Sequence, residues 1–175
     1  MNKEIAEICR VPDRNLRVGT YGEYLVKKIL EMSGAEVVKS QNNTVDWLVL
    51  GETKKPWYAV EVKTHQGTET EFDGSPIKFR CLHLEDRIID NLKMYQDKYK
   101  IYVEIIWVQP LTGQVFNSKL RDLLINKNVN GVDFPRVSPF TDAKKTCFAE
   151  DQFHYIATLP YHVHSMLKYL MRNEE

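Results

Sequence analysis

The chain has 175 residues, a length suited to one domain with its own core, and its 24 Lys and Arg balance 24 Asp and Glu. A formal net charge of zero excludes a strongly basic field over the whole molecule, so a nucleic-acid partner must be held by a local patch or by a second subunit. The three cysteines, Cys9, Cys81 and Cys147, are widely spaced and form no C-x-x-C pair, which argues against a structural zinc or a disulfide framework and for reduced thiols. No apolar run is long enough to span a bilayer, and the N-terminus has no apolar signal core. A soluble cytoplasmic protein with no membrane partner is expected.

Residues 3–10 are expected to form a short helix with Ile5, Ile8 and Cys9 on one side, broken across 11–15 by Pro12. A stronger helix is expected to start at Thr20 as N-cap. Leu25, Val26, Ile29 and Leu30 recur at helical spacing, and Gly34 ends it. Residues 35–39 read as a first strand. Residues 44–50 and 57–64, rich in Val, Leu and aromatics, read as two more, joined by the hairpin-sized turn 51–56. Residues 65–80 are polar and contain Gly67, Gly74 and Pro76. They are expected to be a mobile loop, with 77–80 as a short edge strand.

A second helix is expected over 84–99, with Leu84, Ile88, Leu92, Tyr95 and Tyr99 along one face. Residues 101–108 are the most β-prone run in the chain and belong inside the sheet. Residues 114–116 and 155–158 are further strand candidates. Residues 119–125 are a helix candidate, and 126–150 carry no assignment. Val163, Met166, Leu167 and Leu170 mark an amphipathic terminal helix. No linker or repeat interrupts the chain, so a single domain over 1–175 is expected: a mixed α/β core with an antiparallel meander and a C-terminal extension over 110–175.

Two of the strands carry charges among apolar neighbours. Side chains two apart on a strand share a face, so Glu61 and Lys63 point one way and Val60 and Val62 the other. Asp46 stands on the neighbouring strand. Two adjacent carboxylates repel and are costly to bury without a cation. Oxygen ligands from Asp46 and Glu61, with the Val62 carbonyl as a third, suit Mg²⁺ or Mn²⁺. The reaction that needs these parts is metal-assisted phosphodiester hydrolysis, with Lys63 orienting water or neutralising charge on the phosphorane.

The order helix, three-strand meander, helix, strand, with Asp46 followed by Glu61-Val62-Lys63, resembles the PD-(D/E)XK nuclease superfamily. Its members are Mg²⁺-dependent nucleases and include restriction endonucleases, Holliday-junction resolvases and repair nucleases. The resemblance covers roughly residues 19–108 by order of elements. It implies a restriction-endonuclease-like fold (αβββαβ) with Asp46 and Glu61 as metal ligands and Lys63 as the catalytic lysine. Glu23 would be the first-helix acid of the resolvase-like branch, whose Gly-x-x-x-Glu resembles Gly19-Thr20-Tyr21-Gly22-Glu23. Val45 stands where the motif has proline, and the bulky Trp47 follows Asp46 directly. Duplex or branched DNA is the implied substrate, and a symmetric homodimer the implied assembly.

Glu23 also fits a capping box with Thr20, and both roles stay open. Of the basic residues, Lys78 and Arg80 after the loop, then Arg14 and Arg17 before the helix, are the candidates to grip a phosphate backbone. His65 reads as a loop residue, and His83, His154, His162 and His164 as surface or capping residues. Two rival readings remain: a non-catalytic nucleic-acid- or protein-binding module on the same fold, and a metal phosphoesterase for small molecules.

Overall fold

The computed structural model describes residues 3–73, 75–139 and 144–171. In chain order the elements are α1 (Lys3–Cys9), α2 (Arg14–Met32), β1 (Glu36–Lys39), β2 (Trp47–Leu50), β3 (Pro56–Thr64), β4 (Thr68–Glu71), β5 (Lys78–Glu85), α3 (Asp86–Tyr99) and β6 (Tyr102–Val108). There follow β7 (Gln114–Lys119), α4 (Leu120–Leu123), β8 (Lys127–Val129), β9 (Val132–Phe134), β10 (Arg136–Val137), β11 (Lys145–Ala149), β12 (His154–Thr158) and α5 (Tyr161–Met171).

The expected mixed α/β core is present. A central six-stranded sheet has the order β1-β2-β3-β6-β7-β12. The meander β1-β2-β3 is antiparallel, and β3 runs parallel to β6. Parallel strands need cover on both faces, and Ala59, Val60, Val103, Ile105 and Trp107 are accordingly fully buried. Val60, Val62, Ile106 and Val108 pack with Val18, Leu25 and Val26 of α2 and Leu167 of α5. Ala59, Val103, Ile105 and Trp107 face the other way, toward Ile89 and Leu92 of α3 and toward Leu82 and Phe148. The period of two thus divides β3 between two cores.

Helix α2 begins earlier than its sequence suggests. Asp13 is the N-cap, its Oδ1 accepting the Leu16 N–H at 2.7 Å, so Arg14 and Asn15 are helical and Thr20 lies inside. The capping-box reading of Glu23 falls with it. At the other end Gly34 takes a left-handed φ of 88°, and the Ala35 N–H reaches back to the Leu30 carbonyl.

The expected loop over 65–80 is largely β4 and β5, with Gly74 outside the described residues. They belong to a second sheet of order β10-β11-β5-β4, in which β5 is an interior strand of eight residues rather than a short edge. The polar β4 (Thr-Glu-Thr-Glu) hides its strand character because only Thr70 of it is buried. Its hairpin is held by Phe72, Phe79 and Cys81, which pack with Phe134 and Cys147 in a small third core. Most of the unassigned stretch 126–150 supplies β8 to β11. Leu84 lies within β5 instead of opening α3, and the helix expected over 119–125 shrinks to α4. Cys81 and Cys147 are buried free thiols, and Cys9 is partly buried. No helix among the described residues is long and apolar enough to cross a membrane.

Candidate active site

Asp46 sits one residue before β2. Its N–H donates to the Val60 carbonyl at 2.9 Å, and its Oδ2 accepts the Val62 N–H at 2.8 Å. The side chain therefore continues the pairing against β3 where the β2 backbone has not yet begun. In an extended strand one residue's N–H and C=O point to the same side, so the Val62 carbonyl faces the same gap. Glu61 is the adjacent residue, 9 % exposed, and its Oε1 accepts from Lys63 Nζ at 2.6 Å. The sequence-predicted trio is thus brought together at one end of β3.

Glu23 arrives from α2. Its carboxylate binds Lys39 Nζ at 2.6 Å, and the same ammonium lies 3.8 Å from Asp46 Oδ1. Trp47 ties this side together: its Nε1–H donates to the Glu23 carbonyl at 3.1 Å, and Lys39 lies over its ring. The bulky residue after Asp46 therefore clamps α2 to β2. Lys39 is a site residue that sequence reasoning missed. Its signal is its register: Lys39 is the cross-strand partner of Trp47, which no local pattern reveals.

Glycine 22 permits the approach of α2. A Cβ at this position would lie 1.7 Å from Thr64 Oγ1, whereas one at Gly19 would meet nothing within 4 Å. The glycine that matters in Gly19-Thr20-Tyr21-Gly22-Glu23 is thus the second, because it lets the helix lie on the end of β3 next to Lys63.

The electrostatics follow from this crowding. Burial, then the negative charges of Glu61 and Glu23, push the Asp46 carboxyl up to about 7, against the opposing pull of the Val62 N–H and Lys39. Burial also raises Glu61, opposed by the charge and hydrogen bond of Lys63. Among the described residues no three His, Cys, Asp or Glu side chains converge to hold a metal ion. The available donor set is two carboxylates and one carbonyl.

The other predicted contacts scatter. Lys78 is paired with Glu71 at 3.0 Å, and Arg80 approaches Glu150 at 3.9 Å on the second sheet. Arg14 lines a cleft of about 680 Å³ that also includes Thr64 and His65. Arg17 Nε is buried without a hydrogen-bond partner among the described residues. His83 is neither a surface nor a capping residue. It lies in β5 with Nδ1 3.0 Å from Ser138 Oγ and Nε2 3.3 Å from Thr70 Oγ1.

No protein-family model matches the chain, and no curated protein matches it. Among solved structures it is similar to Archaeoglobus fulgidus Hjc, a Holliday junction resolvase from an archaeal hyperthermophile. The identity is 11 % and the TM-score 0.48, over 84 % of this chain and 95 % of that one.

Proposed function

We propose that the chain is a divalent-metal-dependent nuclease that hydrolyses DNA phosphodiester bonds at Asp46, Glu61 and Lys63. The observation that carries this reading is the Asp46–Val62 bond, which sets two partly desolvated acids side by side with an ammonium group next to them. Two carboxylates and a carbonyl form an all-oxygen set that fits Mg²⁺ or Mn²⁺, ions that fill their remaining positions with water and phosphate oxygens. When bound, the ion polarises the phosphoryl group and acidifies water.

The chain's own residues do the rest. Asp46 and Glu61 hold the ion, and Lys63 Nζ orients the attacking water and neutralises charge gathering on the phosphoryl oxygens. Glu23 acts as a positioning residue through Lys39, which it holds against Asp46. Cutting both strands of a duplex calls for two such sites, and a symmetric homodimer is the proposed assembly. A monomeric mass by light scattering at assay concentration would count against that assembly.

The test of the activity is cleavage of plasmid and of branched DNA with Mg²⁺, wild type against Lys63→Ala. The expected loss is at least a hundredfold, the scale of removing one electrostatic or acid–base group. Equal rates in the two proteins would overturn the reading.

A further inference from the structure

The second sheet, which lies outside the αβββαβ pattern, forms one wall of a cleft beside Lys63. The cleft has a volume of about 340 Å³, the size of a small-ligand pocket rather than of a duplex groove. Lys63, His65, Thr68, His83 and Lys145 line it, and its lining contains no carboxylate. Leu82 is the one apolar side chain in this otherwise basic and polar lining. Lys63 joins the cleft to the acid pair, since its ammonium group lies 2.6 Å from Glu61 Oε1.

Lys145 opens β11, half-buried, and makes no ion pair within 4 Å among the described residues. Its cross-strand neighbour Glu85 is engaged by Arg87 instead. His65 Nδ1 accepts the Gly67 N–H at 3.0 Å, which leaves the ring proton on Nε2, an atom with no partner among the described residues. The walls of the cleft, and then the charges of His83 and Lys145, hold His65 below the ordinary imidazole range, so it is a neutral donor at pH 7. His83, held between Thr70 and Ser138, is wall. An ammonium with no ion pair among the described residues, an imidazole N–H and a hydroxyl around one small opening are the parts of a phosphate site.

We propose that this cleft binds the backbone phosphate next to the scissile one, with Lys145 as its point charge and His65 Nε2 and the Thr68 hydroxyl as donors. The proposal rests on the nuclease reading above. It assigns β11, from the C-terminal extension, to substrate binding.

The experiment is binding of a fluorescein-labelled DNA duplex, followed by anisotropy in EDTA across a series of NaCl concentrations. Lys145→Gln is expected to weaken binding about fivefold to tenfold and to lower the slope of log K against log salt by about one, the loss of one phosphate contact. Lys145→Arg should restore both. Lys55→Gln removes the same charge from the β2–β3 turn and should leave the slope unchanged. A Lys145→Gln slope equal to wild type, or an equal fall in Lys55→Gln, overturns the proposal. Plasmid cleavage with Mg²⁺ separates the two readings. Cleavage by wild type with an unchanged Lys145→Gln slope removes the cleft and leaves the nuclease. Lys145-dependent binding without cleavage removes the nuclease and leaves a phosphate site.

Discussion

The Asp46 carboxylate and the Val62 backbone are joined by a 2.8 Å hydrogen bond in which a side chain continues strand pairing past the end of β2. This bond holds an acid that burial and two neighbouring carboxylates would rather keep protonated. The same contact therefore sets both the geometry of the site and its instability without a cation.

Asparagine at position 46 keeps an acceptor for the Val62 N–H and removes the charge. The folded-state pKa of Asp46, about 7, lies above its ordinary value of 3.8, so the folded chain holds more protons than the unfolded one between those values. Stability falls as pH rises through that window. In chelator at pH 8, Asp46→Asn should be more stable than wild type by roughly 1–4 kcal/mol, and at pH 4 nearly equal to it. Asp46→Ala, which strands the Val62 N–H, should be about 1–3 kcal/mol less stable than Asp46→Asn. Urea denaturation at the two pH values checks all three. A stability difference between Asp46→Asn and wild type that does not grow from pH 4 to pH 8 would contradict the assignment.

Divalent ions should offset the same repulsion. With Mg²⁺ or Mn²⁺ at tenfold its dissociation constant, mass action stabilises the folded state by about 1.4 kcal/mol, or about 3–6 °C in Tm for a chain of this size. The shift should be larger at pH 8 than at pH 5.5, where protons compete for Asp46. It should vanish in Asp46→Asn and Glu61→Gln. Thermal melts with and without the ion measure it, and a shift of equal size in those variants would place the ion elsewhere.

The two glycines of α2 should respond in opposite directions. Gly19→Ala enters open space in a helix interior and should stabilise by about 0.5–1 kcal/mol. Gly22→Ala drives a methyl group into Thr64 and should cost about 1–3 kcal/mol despite the same gain in helix propensity. Cleavage should also fall in Gly22→Ala, because Thr64 follows Lys63 on β3. Melting temperatures of the two proteins decide the matter, and a stabilised Gly22→Ala would refute the tight approach.

Trp47→Phe keeps most of the packing surface and removes the indole N–H that binds the Glu23 carbonyl. The expected cost is about 1 kcal/mol, and the fluorescence of the remaining tryptophans should change little. The Lys39 ammonium, which lies over the Trp47 ring and binds both Glu23 and Asp46, should lose part of its hold. A stability equal to wild type would mean that the clamp is carried by packing alone.

Much of the core was legible along the chain because its signals are local. Alternation in residues 57–64 separates Glu61 and Lys63 from Val60 and Val62, and the unbroken β-prone run 101–108 marks a strand buried on both faces. The acid pair and the lysine could be named because charges stand out in such runs. The start of α2 was misplaced because Thr20 and Glu23 imitate a cap, while Asp13, which caps the helix, lies behind Pro12 in what reads as a break. The strand β4 was invisible because an exposed edge needs no apolar alternation.

Whether those acids meet, and what surrounds them, was decided by pairings between distant residues. Lys39 reaches Glu23 and Asp46 only through the β1–β2 register, and Lys145 reaches the cleft only because β11 pairs with β5 some sixty positions earlier. Composition and period specify which way a side chain faces within its own strand. Which strands become neighbours is settled by long-range burial, here Phe148 against Leu82 and Phe134 against Phe79, and that energy is written in no single segment.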